Sequence, residues 1–342
     1  MNDATRLDPQ NAEILIERAR SLIPALRQRS KQATADRRLP QETIADFQRL
    51  GLTRCLQPAM FGGFASDYRV FSKMLRTVAQ GCGSSAWVAA VHGEHNWVVG
   101  NFSEQAQRDV WGGNPHAVAS ASVAPNGLAE PVAGGHRLSG RWGFASGCDY
   151  AQWVLLGSMA KTSGAPQSRM FLVPIGQCEI IDDWHVMGLC GTGSKSIAIK
   201  DVTVPATHSV SLHELKTGTA PGAAVHHDNP LYRTPRNLLA LFSLSSVVVA
   251  ESRFHAHFGP ISQKETLPVT EGQEPWTRLP PVLFPLFLSL QAPGNSPTGS
   301  QWKEIEWQQL TAVFSSDFCP NESSIRKRSR PPTALLRSYY SS

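Results

Sequence analysis

LSGRWGFASGCDYAQWVLLGSMA (Leu138–Ala160), followed by WHVMGLCGTGSKSIAIKDVTVP (Trp184–Pro205), is the stretch on which the reading of this chain turns. Gln152–Gly157 and Arg169–Pro174 are short apolar runs bounded by Gly, Ser or Pro, the pattern of strands. Ser196–Val204 is enriched in β-branched residues, which fit a pleated surface. GRWGFASG and GLCGTGS are rich in Gly and Ser and read as loops that offer N–H groups and hydroxyls to something polar and flat. Just upstream, HAVASASVAPNGLAEPVAGGHRLSG alternates small and apolar residues around Gly134-Gly135, which predicts a hairpin. A β domain is therefore expected over 114–216.

Outward from this module the text changes. Asn11–Ala35 carries Ile14, Leu15, Ala19, Leu22 and Ile23 at three- and four-residue steps, an amphipathic helix. Pro40 is expected in the first turn of a second helix, QETIADFQRL, which Gly51 ends. Tyr68–Ala79 reads as a third helix, and Ser84 or Ser85 as the cap of a fourth, AWVAAVHGEHNWVVGNF. No strand pattern appears before about Ala117, so 1–113 is expected to be a helical domain. On the other side, Thr217–Asn229 is rich in Gly, Ala and His and reads as a linker. Leu231–Ala250 returns to helix-like apolar content, so 217–250 is expected to be linker and the start of a C-terminal helical domain.

Bulk properties exclude several classes. The 342 residues are 41% hydrophobic and 17% charged, the composition of a folded globular protein. The net charge of +5 draws partly on IRKRSRPP (Ile325–Pro332), read as a solvated basic stretch, so no nucleic-acid partner is expected. The N-terminal text lacks a signal pattern, and no apolar run approaches the roughly 20 residues a spanning helix needs. No membrane partner is expected. Six scattered cysteines without a C-x-x-C pair suit a reducing cytoplasm and neither a disulfide framework nor a zinc site. GLCGTGSKS has Ser194 where a phosphate-binding loop needs lysine, and a strand follows where that motif needs a helix. No G-x-G-x-x-G opens a helix after a strand, and no G-x-S-x-G elbow is present. His226, His227 and Asp228 are adjacent in a Gly/Ala-rich segment, an arrangement that seldom converges on one metal ion.

At the quoted residues the chain resembles the acyl-CoA dehydrogenase superfamily. GRWGFASG stands where that fold carries a Gly–x–Lys–x–Trp–Ile–Thr–Asn loop. MGLCGTGS…DVTVP stands where it carries Met-Gly-x-Arg-Gly-Thr/Ser-x-Ser/Thr before a strand ending Val-Pro. Phe144, Ala145 and Ser146 replace Trp–Ile–Thr, and SGRWGFASGCDYAQWVLLG is similar to the oxygenase components of two-component flavin-dependent monooxygenases. The resemblance covers about residues 10–250. It implies an α+β, acyl-CoA dehydrogenase-like fold: an N-terminal helical domain, a middle β-barrel-like domain and a C-terminal helical domain, the last truncated or frame-shifted here. It also implies reduced FMN or FAD delivered by a separate flavin reductase, a C4a-hydroperoxide formed with O2, and hydroxylation of an aromatic or polyketide-like substrate. The intact family fold is a homotetramer.

The resemblance further suggests roles for single residues. Ser146 would hold the flavin N5 edge, and His95 would face the substrate hydroxyl as proton acceptor. Of Ser120 and Ser122, whichever the strand register turns inward would reach the phenol oxygen. Trp87 and Phe144 would wall the ring pocket, while Gly191, Thr192, Gly193 and Ser194 would supply N–H groups to flavin or substrate. Two alternatives stand beside this reading: an acyl-CoA dehydrogenase, whose glutamate finds no place here, and an inactive flavin-binding remnant.

From about Glu251 the text departs from the family, whose last domain is a bundle of long helices. Residues 251–342 hold 11 of the chain's 24 prolines, and a proline inside a helix costs about 3 kcal/mol. A reading-frame shift near residue 250 is the simplest account, and a divergent but folded domain is the alternative. The family's late histidine and phosphate-binding arginine have no matching motif here, and Arg253 and His255 are candidates without motif support. The expectation is an unpacked tail, an incomplete flavin site and weak or absent activity.

Overall fold

The periodic apolar residues of the N-terminal third do form helices in the computed structural model, which describes residues 9–162 and 164–237. Helix α1 (Pro9–Asp36) buries Leu15, Ala19, Leu22, Leu26 and Ala33 along one stripe and continues through Pro24. Helix α2 (Gln41–Leu50) starts one residue after Pro40, which is its N-cap rather than part of its first turn, and stops at Gly51 at φ 74°. Helix α3 (Tyr68–Ala79) is capped by Asp67, whose carboxylate accepts from the Val70 amide. Helix α4 (Gly83–Gly100) is buried at every position from Ser85 onward, so it is the central rod of the helical layer. Its N-cap is Cys82 without a side-chain bond, so neither Ser84 nor Ser85 caps it as expected. A fifth helix, α5 (Glu104–Trp111), escaped the sequence reading; it is too short for a periodic signal, and Ser103 caps it by accepting from the Ala106 amide.

Seven strands follow: β1 (Ala119–Val132), β2 (Gly135–Ala145), β3 (Trp153–Ala160), β4 (Gln167–Pro174), β5 (Glu179–Ile181), β6 (Lys195–Pro205) and β7 (Ser209–Ser211). They form one sheet in the order β5-β6-β2-β1-β3-β4-β7. All neighbours are antiparallel except β1 and β3, which run parallel, so the sheet is mixed. The expected hairpin is β1–β2, closing at Val132 opposite Gly135.

Strands β3 and β4 show why their sequences are continuous apolar runs. Leu155, Met170 and Leu172 face the helices, while Val154, Leu156, Phe171 and Val173 join Leu138, Trp142, Ile197 and Val204 in a second core on the other face. A strand buried on both sides has no polar face to alternate with. The second core is enclosed because the sheet curls: β4 touches β6, four places away in strand order, and His136 of β2 meets Phe171 of β4 edge-on at 5.2 Å.

Two expectations are corrected. GRWGFASG is not a loop. Its first six residues belong to β2 and pair with β6 through two register shifts, with Trp142 in the second core. Nor is Thr217–Asn229 a solvated linker. After the short helix α6 (Leu212–Thr217) the chain makes α7 (Pro221–Val225) and a 3-10 turn at Pro230–Arg233, with Ala220, Gly222, His226, Leu231 and Tyr232 buried. A Cβ on Gly222 would lie 2.0 Å from the Gly100 carbonyl oxygen, so the small residues here allow close packing on α4. The expectations for residues 238–342, including Arg253, His255 and the tail, lie outside the described residues. No described helix is long and apolar enough to cross a membrane.

Candidate functional site

Helix α4 and the ends of β1, β2 and β6 converge on one place. Strand β1 links the two sides with consecutive residues. The Ala119 carbonyl accepts from His95 Nδ1 at 2.9 Å, and the Ser120 hydroxyl donates to the Ser146 carbonyl at 2.9 Å. Ser122 Oγ donates to the Gly143 carbonyl at 2.7 Å. Ser120 and Ser122 therefore both face β2, and the expectation that only one turns inward fails, because residues two apart on a strand share a face.

On the helix side, bonding to a carbonyl fixes the imidazole tautomers. His95 carries its proton on Nδ1 and keeps a lone pair on Nε2. His92 donates from Nε2 to the Gly147 carbonyl at 3.2 Å. Burial lowers His92 to about 4 and His95 to about 3, the latter helped by the neighbouring His92 and by the positive charge of Arg236. Both rings are neutral near pH 7. Arg236, which the sequence reading did not single out, has a buried Nε without a hydrogen-bond partner among the described residues. Nothing in its local sequence marks it, since only the return of the chain after Tyr232 brings it beside α4.

On the strand side, Ser146 Oγ is buried between Trp87 Nε1, which donates to it at 3.1 Å, and Ser194 Oγ at 2.7 Å. Ser194 Oγ lies 2.7 Å from Thr192 Oγ1, which donates to the Leu189 carbonyl at 2.9 Å. Gly147, at φ 67°, joins the sides: its amide donates to the Thr192 carbonyl at 2.9 Å, and a Cβ there would stand 2.6 Å from His92 Nε2. Gly191 packs against Ala33 and Ser84. The Thr192 and Gly193 amides close the 3-10 turn on Leu189 and Cys190, so these two N–H groups are not available to a ligand as expected. What this turn brings to the site is the Thr192 and Ser194 hydroxyls.

The strand side is also strained. Arg37, Phe144 and Leu189 all adopt positive φ, 51°, 64° and 55°, a conformation that costs of order 1–3 kcal/mol each for residues with a Cβ. They are connected: Arg37 pairs with Asp182 and donates to the Trp184 carbonyl, the Trp184 indole donates to Leu189, and Phe144 meets Trp184 edge-on at 5.9 Å. A nearly buried Lys195–Asp149 pair at 2.8 Å holds the same turn. Of the two expected pocket walls, Trp87 is buried but Phe144 is 60% exposed and meets the Trp184 ring edge-on. Among the described residues Phe144 encloses nothing beyond that contact.

The His226-His227-Asp228 cluster holds no metal geometry. No group of three or more potential ligands occurs among the described residues, and His226 Nε2 instead donates to Gln107 Oε1 at 2.8 Å.

No protein-family model matches the chain. It is similar to the oxygenase subunit HsaA of a flavin-dependent monooxygenase from Rhodococcus jostii (strain RHA1), 36% identical over 245 residues, 71% of this chain and 64% of the relative. It is also similar to the oxygenase component of an FADH2-dependent resorcinol hydroxylase from Rhizobium sp. (strain MTP-10005), 35% identical over 242 residues, 69% of this chain and 59% of the relative. Among solved structures, the 3-HSA hydroxylase from Rhodococcus sp. RHA1 superposes with a TM-score of 0.68 at 36% identity, over 70% of this chain and 62% of that one. XiaF from Streptomyces sp., solved in complex with FADH2 and glycerol, gives 0.66 at 25% identity, over 72% and 62%. The chain thus spans less than two thirds of the length of these relatives. Over the matched stretch it is similar, in sequence and in fold, to the oxygenase subunits of flavin-dependent monooxygenases.

Proposed function

We propose that this chain is an oxygenase component of a two-component flavin-dependent monooxygenase, built on an acyl-CoA dehydrogenase-like plan. Residues 1–113 form its helical domain, 114–216 its β domain and 217–250 the start of its C-terminal helical domain. It takes reduced FMN or FAD from a separate reductase and hydroxylates an aromatic or polyketide-like substrate, and a homotetramer is the assembly this reading implies. When bound, the reduced flavin supplies the electrons that activate O2 for insertion of one oxygen atom.

The observation that carries the reading is the pairing of His95 and Ser146 across adjacent residues of β1. Ser146 suits the flavin edge: its Oγ is held by Trp87 and Ser194 in a buried setting and keeps one lone pair for a ligand N–H. His95 suits the substrate hydroxyl, because its Nε2 lone pair accepts a proton and its Nδ1 is anchored. Burial alone makes the ring a weak base. A phenolate formed opposite it supplies the missing negative charge, and the Arg236 guanidinium nearby stabilises that phenolate.

Purified chain mixed with reduced flavin, O2 and a panel of phenols tests this. Substrate-dependent incorporation of one oxygen atom is the expected result, and His95→Asn should slow it while leaving flavin binding intact, most at low pH where phenolate is scarce. Loss of flavin binding in His95→Asn would move the residue to the cofactor side. Reduction of bound flavin by an acyl-CoA would favour the dehydrogenase reading instead. The remnant reading, motivated by the proline-rich text after Glu251, predicts neither activity.

A further inference from the structure

We propose that Ser194 and Thr192 are positioning residues that fix the direction in which Ser146 offers its hydroxyl, and that this direction makes the site select the oxidation state of its flavin. The proposal rests on the flavin reading above and adds to it. Three hydroxyls lie in a row between a group that can only donate, the Trp87 indole N–H, and one that can only accept, the Leu189 carbonyl. The ends therefore set the polarity of everything between them. Thr192 must give its proton to Leu189, so its oxygen accepts from Ser194. Ser194 then has no proton for Ser146, so its oxygen accepts from Ser146, whose oxygen accepts from Trp87. All three protons are committed. Ser146 is left with a lone pair and nothing to donate.

The anchor is held firmly. The Leu189 carbonyl also accepts the Thr192 amide at 3.0 Å, and Leu189 itself is fixed at φ 55° with Trp184 donating to the same oxygen at 3.3 Å. Turning the row round would require the carbonyl to donate, which it cannot.

A reduced isoalloxazine carries a proton on N5, whereas an oxidised one presents a bare N5 lone pair. Facing an acceptor-only Ser146, the reduced ring gains a hydrogen bond and the oxidised ring sets lone pair against lone pair. The chain should therefore hold reduced flavin and release oxidised flavin. The part of this preference due to the row is about tenfold, the usual weight of one such bond.

The test is the ratio of dissociation constants for oxidised and reduced flavin, measured anaerobically with FMN and with FAD on the full chain. Thr192→Val keeps the side-chain shape but removes the anchor, so Ser194 can donate to Ser146 and Ser146 can donate to oxidised N5. The preference should fall about tenfold, a drop of about 30 mV in the two-electron potential of the bound flavin. Ser194→Ala should do the same by a different route, and Thr192→Ser should keep the wild-type ratio. A wild-type chain that binds neither flavin overturns the proposal together with the reading beneath it. A wild type that prefers reduced flavin, with that preference unchanged in Thr192→Val and Ser194→Ala, overturns the row alone.

Discussion

The two sides of the site are held by different physics. On the α4 side, position comes from burial: the helix is enclosed along its length, and His92 and His95 each make one bond to a carbonyl of the sheet. On the β2–β6 side, position comes from the backbone: strained residues, a tight turn and a run of short polar bonds hold Ser146. The second side is also knit together by charge: Arg37 pairs with Asp182, Lys195 pairs with Asp149, and Lys195 lies 4.0 Å from Asp182. A neutral base and an oriented hydroxyl draw on those different surroundings, and adjacent residues of β1, Ala119 and Ser120, tie them together.

Acid should break the helix side first. His92 and His95 titrate at about 4 and about 3 in the folded chain against 6.5 when unfolded. Above pH 6.5 both are neutral in either state and contribute nothing to the pH dependence. Below it the unfolded chain takes up protons that the folded one declines, so stability falls as pH falls, by about 1.4 kcal/mol per unit for each histidine. Between pH 6.5 and 5 the pair should cost roughly 3 kcal/mol, because the full slope is reached only below about pH 6, read as a lower urea midpoint. In a His92→Gln/His95→Gln variant that part of the dependence should vanish; an equal pH dependence in variant and parent would show the rings are not held neutral.

The strand side should be most sensitive at Lys195. With the lysine and Asp149 side chains only 11% and 13% exposed, Lys195→Met leaves a nearly buried carboxylate, one of whose oxygens already lacks a partner. The expected loss is about 3 kcal/mol in denaturant unfolding. Asp149→Asn in the same chain should restore part of it, and a lack of restoration would mean the pair is incidental.

The smallest effect should come from the bond that joins the sides. Trp87→Phe removes the indole donor to Ser146 and three ring atoms from a buried side chain, so about 1–2 kcal/mol of stability should go. A much larger loss would mean that Trp87 matters through packing.

The same division explains what the sequence disclosed. The helices were legible because burial writes a period into the text: Leu15, Ala19, Leu22 and Leu26 recur on the α1 stripe, and Tyr68–Ala79 matched α3 end to end. Strands β3 and β4 were legible as apolar runs because both their faces are buried. Small residues misled twice, since in GRWGFASG they accompany paired strand and in Thr217–Asn229 they allow close packing. His95, Ser146, Ser120, Ser122 and Trp87 came together through the family motifs, which fix order along the chain. The bonds among Ser146, Ser194 and Thr192 span positions 48 and 2 residues apart, and no local pattern announces which hydroxyls will meet.

The return of the chain to α4 also sets an order of events during synthesis. Trp97 Nε1 donates to the Leu231 carbonyl across 134 residues, and Tyr232 O–H donates to the Leu56 carbonyl across 176. At 5–20 residues per second, on the order of ten seconds separate emergence of Trp97 from emergence of its partner. Throughout that interval the helical layer has been made but not closed, and the groove awaiting Tyr232 is open to any other apolar segment. Closing so long a loop costs only about 0.6 kcal/mol more for each doubling of its length. Delay, more than stability, is therefore where this architecture is exposed: a nascent chain stalled before residue 231 presents a finished helical layer with an unfilled seam, the kind of surface that chaperones hold and that aggregates grow from.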